Sequence, residues 1–162
     1  MIVRDASDDD WPAIFPIFTE VVRAGETYTY PEGLDSAAAR SLWMQPPPAR
    51  TVVAVEGGRV LGSATTGPNR PGRGSHMATA SFMVDAAARG RGVGRTLGAW
   101  VVRAARDGGY RGIQFNAVVE TNTAAVHLWQ SLGFVTVGTV PGAFRRPDGS
   151  YVGLHVMYLD LT

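Results

Sequence analysis

The residues best suited to chemistry form a run of glycine and arginine, Arg89-Gly90-Arg91-Gly92-Val93-Gly94-Arg95. The run stands between a predicted strand and a predicted helix. Glycines in such a turn let the backbone approach a ligand closely, and their N–H groups join the positive end of the helix dipole. The arginines add charges that cannot be titrated off. This combination suits a pyrophosphate at a helix N-terminus, although a chain with 20 glycines can also carry such a turn without a ligand.

Three kinds of phosphate-binding turn can be compared with this run. A Walker-type loop needs a lysine, and all 15 basic residues of the chain are arginine. A dinucleotide fingerprint would have to be Gly92-x-Gly94-x-x-x-Gly98, whose third glycine is one residue late, with Glu120 as the acidic ribose partner. The third pattern fits in full. Arg89-x-x-Gly92-x-Gly94 resembles the pyrophosphate loop of the GCN5-related N-acetyltransferases (GNATs), which has Gln or Arg first, Gly fourth and Gly or Ala sixth.

A second block, one helix and one strand later, carries the same resemblance. Asn122-x-x-Ala125-x-x-Leu128-Trp129-x-x-x-Gly133-Phe134 is similar to a GNAT block with Asn, Ala, Leu, Tyr or Trp, Gly and Phe at the same spacing. The two motifs and the elements around them cover roughly residues 78–140. Both motifs in register identify the chain as resembling the GNAT superfamily.

The resemblance implies an α/β fold with a mixed, mostly antiparallel twisted sheet, flanked by helices and splayed between its fourth and fifth strands. It also implies that acetyl-CoA is the acetyl donor. The pantetheine arm would lie in the opening and pair with backbone near Met83 and Val84, and the pyrophosphate would lie on residues 89–95. A bulge in the fourth strand would turn the N–H of Phe82 towards the thioester oxygen. An oxyanion donor of this kind lowers a barrier by about 2.7–4 kcal/mol.

The acetyl transfer needs a base for the incoming amine. Because the chain has no cysteine, we expect direct attack by the amine in a ternary complex rather than an acyl-enzyme. His76 is the leading base, since it is predicted on the strand beside the thioester and titrates near neutrality. His76 can equally cap the neighbouring Gly-rich loop. Glu26, Glu120 and a relaying water are the rivals.

Trp129 and Asn122 have both a structural and a functional interpretation. The family often has a tyrosine at the position of Trp129, which protonates the leaving thiolate. Tryptophan has an N–H donor but no acidic proton in that range, so contact with the sulfur and packing against the sheet stay open. Asn122 is a predicted N-cap. The resemblance implies that it also hydrogen-bonds the cofactor arm.

We predict that the acceptor is a small-molecule amine such as an amino acid or an analogue. The Tyr- and Pro-rich segment Gly25–Glu32 suggests a lid over a small pocket, and Pro141–Arg146 could close the other side. Several blocks are similar to the proline-analogue (azetidine-2-carboxylate) N-acetyltransferases of yeasts, among them Ala24-Gly25-Glu26-Thr27-Tyr28, Pro68-Asn69, Ser75-His76, Phe115-Asn116 and Thr121-Asn122. That resemblance implies that Asn116 and Asn122 face the reacting centre. The alternative for Asn116 is a buried amide satisfied by neighbouring backbone.

Composition limits the remaining possibilities. With 162 residues, 45% of them hydrophobic, one core and a single domain over 1–162 are expected. A net charge of +1 argues against nucleic-acid and membrane partners. No metal site is expected, and the absence of a signal peptide or apolar span favours the cytoplasm. The exclusive use of arginine, with abundant Ala and Gly, points to a bacterial source. The oligomeric state stays open, with a homodimer among the options.

Periodicity and turn signals predict the elements that position these residues. A helix begins after Ser7 or Asp8, and Pro16 should kink or split it. A second helix begins at Asp35 or Ser36. The other predicted helices are Val93–Arg106 and Asn122–Leu132. The predicted strands are Ile2–Arg4, Thr51–Glu56, Arg59–Thr66, His76–Asp85, Ile113–Val119, Phe134–Val140 and Tyr151–Leu161.

Two other classes of function compete with a GNAT N-acetyltransferase. The first is a regulatory module that keeps the fold and binds acyl-CoA without turnover, which the tryptophan at position 129 favours. The second is a nicotinamide-dependent oxidoreductase, which the dinucleotide interpretation of the Gly-rich turn would require. Stabilisation by NAD(P)H and not by CoA would identify the oxidoreductase, and a thermal shift with acetyl-CoA followed by a thiol-release assay separates the enzyme from the regulatory module.

Overall fold

Seven strands form one sheet in the computed structural model, which describes residues 1–162. The strands are β1 (Ile2–Asp5), β2 (Arg50–Glu56), β3 (Arg59–Pro68), β4 (Met77–Val84), β5 (Gly112–Val119), β6 (Val135–Arg145) and β7 (Tyr151–Asp160). The helices are α1 (Trp11–Ala24), α2 (Ser36–Trp43), α3 (Val93–Asp107) and α4 (Thr123–Ser131). None of the helices has the length and apolarity that crossing a membrane requires.

The sheet is antiparallel except at one place. Its strand order is β1-β2-β3-β4-β5-β7-β6, and β4 and β5 are the parallel pair. These two strands pair only at Met77 with Gly112 and at Ala78 with Ile113. Beyond Ala78 they diverge and leave an opening in the middle of the sheet. The predicted fold class and the splay between the fourth and fifth strands are confirmed.

The two faces of the sheet carry separate apolar cores. Leu97 and Val101 of α3 and Trp129 of α4 belong to the larger core, and α1 and α2 cover the smaller one. Successive side chains of a strand point to opposite faces. In β4, Ala78 accordingly packs in the larger core and Met83 in the smaller one. The opening therefore lies between two packed layers.

Three local expectations from the sequence, the first of them only as regards a split at Pro16, are wrong. Pro16 does not split α1, which runs unbroken because its apolar side packs on the sheet and helices in proteins depend mainly on such packing. The predicted bulge in β4 is absent, since the β3–β4 register is continuous from Gly62–Val84 to Pro68–Ala78. A register shift lies instead in β5, between Phe115 and Val118. β6 extends to Arg145, beyond its predicted end at Val140.

The beginning of α1 is fixed to β1 by a buried carboxylate. Arg4 donates two hydrogen bonds to Asp10, at 2.7 and 2.8 Å, and the Ser7 N–H donates a third at 2.8 Å. The Asp10 side chain is only 8% exposed. The hydrogen bonds from Arg4 outweigh the opposing effect of burial and lower the pKa of Asp10 from 3.8 to about 2. Bidentate contacts between arginine and a carboxylate are among the stronger hydrogen bonds in proteins.

We predict that Asp10→Asn lowers the free energy of unfolding at pH 7 by about 2 kcal/mol. The folded-state pKa is depressed, so this stabilisation is fully present above the ordinary pKa and is lost as pH falls towards 2. Urea denaturation at several pH values measures it. Asp9→Asn is the matched control, because exposed Asp9 in the same turn has no partner. Equal stability of the two variants at pH 7 would contradict the prediction.

Candidate active site

A cavity of about 1000 Å³ occupies the opening between β4 and β5. The Gly-rich turn, the start of α4, the loop after α1 and Arg146 complete its walls. Most of the predicted site residues line it: Glu26, Phe82, Met83, Val84, Arg89, Gly90, Gly92, Val93, Gly94, Arg95, Asn116, Asn122 and Trp129. His76 and Arg91 are the predicted residues that do not.

The Gly-rich turn leads directly into α3. Gly92 is the N-cap of this helix and has a left-handed backbone with φ +79°. No atom lies within 4 Å of the position where a Cβ of Gly92 would be. The turn therefore leaves free space at the N-terminus of a 15-residue helix, as a phosphate site there would require.

The three arginines of the turn differ in their surroundings. Arg89 lines the cavity and has no hydrogen-bond or ion-pair partner in the protein. Arg95 also lines the cavity and donates to Ser131 Oγ at 2.8 Å. Arg91 instead forms an ion pair with Glu56 at the end of β2, outside the cavity. The structure therefore does not bring Arg91 together with the other predicted cofactor-binding residues.

The backbone of β4 presents alternate residues to the opening. In an antiparallel pair, the N–H and C=O of one residue point to the same neighbouring strand, and the next residue points the other way. Asp85 N donates to Leu61 O of β3, whereas His76 O accepts from Arg111 N on the β5 side. The backbone N–H and C=O groups of the even-numbered residues, Phe82 and Val84 among them, therefore point into the opening. The backbone groups of Met83 point to β3 and are hydrogen-bonded within the β3–β4 ladder. They are therefore not free to pair with a pantetheine arm in the way that the sequence analysis predicted.

Tyr28 is bound to the backbone of Phe82. Its hydroxyl accepts from Phe82 N and donates to Phe82 O, both at 2.7 Å. Its ring stacks on Tyr30, with centroids 5.4 Å apart, and meets the edge of Trp43. Burial raises the pKa of Tyr28, so the hydroxyl keeps its proton. The N–H predicted as oxyanion donor already has a hydroxyl partner.

Trp129 packs against aromatic side chains of both diverging strands. Its ring centroid lies 4.5 Å from that of Phe82 on β4 and 5.0 Å from that of Phe115 on β5. On its other side, a Cβ on Gly98 of α3 would lie 2.9 Å from the indole. The third glycine of the rejected dinucleotide pattern thus permits close packing of α3 on α4. These packing contacts account for a tryptophan at position 129, and no role in proton transfer is needed to explain it.

Both predicted asparagines line the cavity, with different partners. Asn122 Oδ1 accepts from Ala125 N at 3.2 Å, which confirms the N-cap of α4 and leaves its amide nitrogen without a partner in the protein. Asn116 is exposed rather than buried, and it lies within the register shift of β5. Its Nδ2 donates to Asn69 Oδ1 at 2.6 Å, and its Oδ1 accepts from Gln114 at 2.9 Å. Neighbouring side chains, and not backbone, satisfy this amide.

The three candidate bases lie in different places. His76 is exposed and precedes β4 instead of lying on it. Six residues of extended chain separate it from Phe82, about 20 Å at 3.3 Å per residue. Glu120 accepts from Gly153 N at 2.5 Å and lies outside the cavity. Glu26 lines the cavity, is exposed, and has no hydrogen-bond or ion-pair partner in the protein. The structure therefore brings only Glu26 to the other site residues.

Two further groups in the cavity wall are not singled out by the sequence analysis. Thr27 Oγ1 is buried and has no hydrogen-bond partner. Arg146 reaches the cavity from the β6–β7 hairpin, whose Pro147 lies 2.8 Å from where a Cβ of Gly25 would be. The loop after α1 and this hairpin therefore meet beside the cavity. These two segments come together because of the order of the strands in the sheet. Sequence periodicity does not reveal that order.

Comparison with known proteins gives one consistent result. The family model of the Acetyltransferase (GNAT) family matches residues 11–134. The structure of a GCN5-related N-acetyltransferase from Kribbella flavida is 62% identical, with a TM-score of 0.95 over 98% of this chain and 96% of that chain. The structure of yncA from Salmonella typhimurium, with its cofactor acetyl-CoA, is 27% identical, with a TM-score of 0.86 over 100% and 94% of the two chains. The chain belongs to the GNAT family of acetyltransferases.

Two relatives in sequence carry more specific names. The L-amino acid N-acyltransferase MnaT of Escherichia coli is 31% identical over 168 residues, 99% of this chain and 94% of MnaT. The N-acetyltransferase aca1 of Schizosaccharomyces pombe is 35% identical over 98 residues, 60% of this chain. That match spans about half of aca1, 47% of its length.

Proposed function

We propose that the protein transfers the acetyl group of acetyl-CoA to the amine of a small molecule, an amino acid or an analogue of one. The observation that carries the proposal is the cavity itself. We take the Gly-rich turn at the start of α3 as one end of the cavity and Glu26, Thr27 and Arg146 as the other, since all of these residues line it. A phosphate-bearing donor and an amine with a second polar group fit these two ends. The acetyl-CoA in the yncA structure and the name of MnaT support the same assignment.

The donor side fits acetyl-CoA, which supplies an acetyl thioester. The free space beside Gly92 and the unpaired Arg89 suit the pyrophosphate. Backbone groups of Val84, and the amide nitrogen of Asn122, are available to the pantetheine arm. These groups belong to the rigid edges of the opening, so little ordering is needed when a ligand binds.

Gly92→Glu should lower acetyl-CoA affinity by about tenfold or more, because repulsion of about 1.4 kcal/mol between carboxylate and phosphate changes Kd tenfold. Gly57→Glu is the matched control. Gly57 also has a left-handed backbone, with φ +57°, but it lies in the β2–β3 turn outside the cavity. Both variants should lose similar stability, about 1–2 kcal/mol, from backbone strain. Calorimetry with unchanged acetyl-CoA affinity in folded Gly92→Glu would contradict the donor assignment.

The acceptor side fits a small molecule better than a peptide. The loop after α1 and the β6–β7 hairpin approach each other at Gly25 and Pro147, next to Glu26 and Arg146 of the cavity wall. Inside it, Glu26 is the lone carboxylate, Thr27 offers an unpaired hydroxyl, and Arg146 offers a positive charge. The carboxylate of Glu26 can bind the amine of an amino acid, and the guanidinium of Arg146 can bind its carboxylate.

In this proposal Glu26 is the base, acting directly or through water. The acceptor nitrogen bonds to the carbonyl carbon, and the carbon–sulfur bond breaks with its electron pair on sulfur. Glu26 removes one proton from the incoming ammonium before the nitrogen–carbon bond forms, and the second proton that nitrogen loses on amide formation passes to water. Trp129 has no hydroxyl, so the thiolate receives its proton from water or leaves unprotonated. No covalent intermediate with the protein is needed.

A screen for thiol release tests the function. Acetyl-CoA is incubated with the protein and with free amino acids, cyclic imino acids, polyamines, aminoglycosides or histone-like peptides. We expect turnover with one or more amino or imino acids. Turnover confined to peptides would contradict the acceptor class, and stabilisation by acetyl-CoA without turnover on any amine would favour the regulatory module.

Two variants assign the base with the best acceptor found. Glu26→Gln should lower kcat by about 100-fold, within the usual contribution of general base catalysis. His76→Ala should retain the parent kcat, because His76 lies outside the cavity. The opposite outcome, loss of turnover in His76→Ala alone, would return the base to His76.

A further inference from the structure

The hydroxyl of Tyr28 lies where the donor thioester is expected. Phe82 is the β4 residue whose N–H faces the opening, and Tyr28 occupies both its N–H and its C=O at 2.7 Å. An incoming carbonyl oxygen therefore meets the tyrosine before it meets the backbone. Either the ring of Tyr28 must leave, or its hydroxyl must take part.

The packing of Tyr28 favours a ring that stays in place. Tyr30 stacks on it with an interplanar angle of 8°, and Trp43, which meets it edge-on, is completely buried. Tyr30 is in turn stacked on Phe18 at 5.5 Å. Removing Tyr28 from this aromatic stack would break several contacts in the core beneath α1 and α2. Rotating only the hydroxyl hydrogen about the Cζ–Oη bond breaks none of them.

We propose that Tyr28 is a catalytic residue whose hydroxyl donates a hydrogen bond to the carbonyl oxygen of the acetyl thioester. The inference rests on the proposed function. Phe82 N–H keeps donating to Tyr28 Oη, and the Tyr28 hydrogen turns from Phe82 O to the substrate oxygen. As the acceptor nitrogen bonds to the carbonyl carbon, an electron pair moves to that oxygen, which Tyr28 stabilises without giving up its proton.

Two features make this hydroxyl a hydrogen-bond donor rather than an acid. Burial raises its pKa, so it stays protonated. The hydrogen bond that it accepts from Phe82 polarises it and strengthens its own donation, as in other hydrogen-bond chains. The backbone N–H of Phe82 thus acts on the thioester oxygen through the Tyr28 hydroxyl and not directly. Tyr28 also supplies a phenol bound to β4 in the opening, where Trp129 supplies none.

Tyr28→Phe tests the inference, with Tyr30→Phe as the matched control from the same stack. Thiol release should show kcat about 100-fold or more lower in Tyr28→Phe, the usual cost of losing one oxyanion donor. Calorimetry should show its acetyl-CoA affinity within about threefold of the parent, since the donor is lost mainly in the transition state. Tyr30→Phe should change neither quantity. A Tyr28→Phe variant with parental kcat would overturn the inference, as would one with reduced kcat and equally reduced affinity.

Infrared difference spectra of bound acetyl-CoA, labelled with ¹³C at the carbonyl, provide a readout without turnover. The carbonyl band of the parent should lie at lower frequency than that of Tyr28→Phe. Incorporation of 3-fluorotyrosine, which keeps the ring and makes the phenol a stronger donor, should lower the band further. Identical bands in all three proteins would overturn this inference alone. A parent that binds no acetyl-CoA would overturn the proposed function as well.

Discussion

Beyond Ala78, β4 has no strand on its β5 side, and a buried backbone group without a partner costs about 1–3 kcal/mol. The rest of the site follows from this constraint. Trp129 packs against both Phe82 and Phe115, whose rings also contact each other, so aromatic side chains fill the larger core where the two strands separate. Tyr28 satisfies the backbone of Phe82. The same unpaired edge that would destabilise an ordinary sheet is the surface on which an extended ligand can add its own hydrogen bonds.

Several residues serve the fold and the site at once. Asn122 ends the loop after β5 by capping α4, and its free amide nitrogen lines the cavity. Gly92 allows the left-handed step into α3 and leaves space at its N-terminus. Because these groups are fixed by helix ends and strand edges, their positions do not depend on flexible loops. The acceptor side differs, since Glu26 and Arg146 come from a loop and a hairpin tip.

Local sequence patterns predicted the Gly-rich turn and the start of α4 well, and the partners of the other cavity residues poorly. Spacing and turn chemistry located Gly92 and Asn122, because both act at the ends of elements that their own neighbours define. The partners of Tyr28 and Arg91 could not be predicted in this way. Tyr28 and Phe82 are 54 residues apart, and Arg91 and Glu56 are 35 apart. His76 was misplaced because its distance from the reacting centre depends on where β4 and β5 separate, which periodicity does not reveal.

Amide hydrogen exchange along β4, followed by NMR with and without acetyl-CoA, tests most directly whether this edge receives the donor. Val84 faces the opening, whereas Met83 is already hydrogen-bonded within the β3–β4 ladder. The account predicts that saturating acetyl-CoA slows exchange at Val84 more than at Met83. Equal slowing at both residues, or none at Val84 while acetyl-CoA is bound, would contradict it.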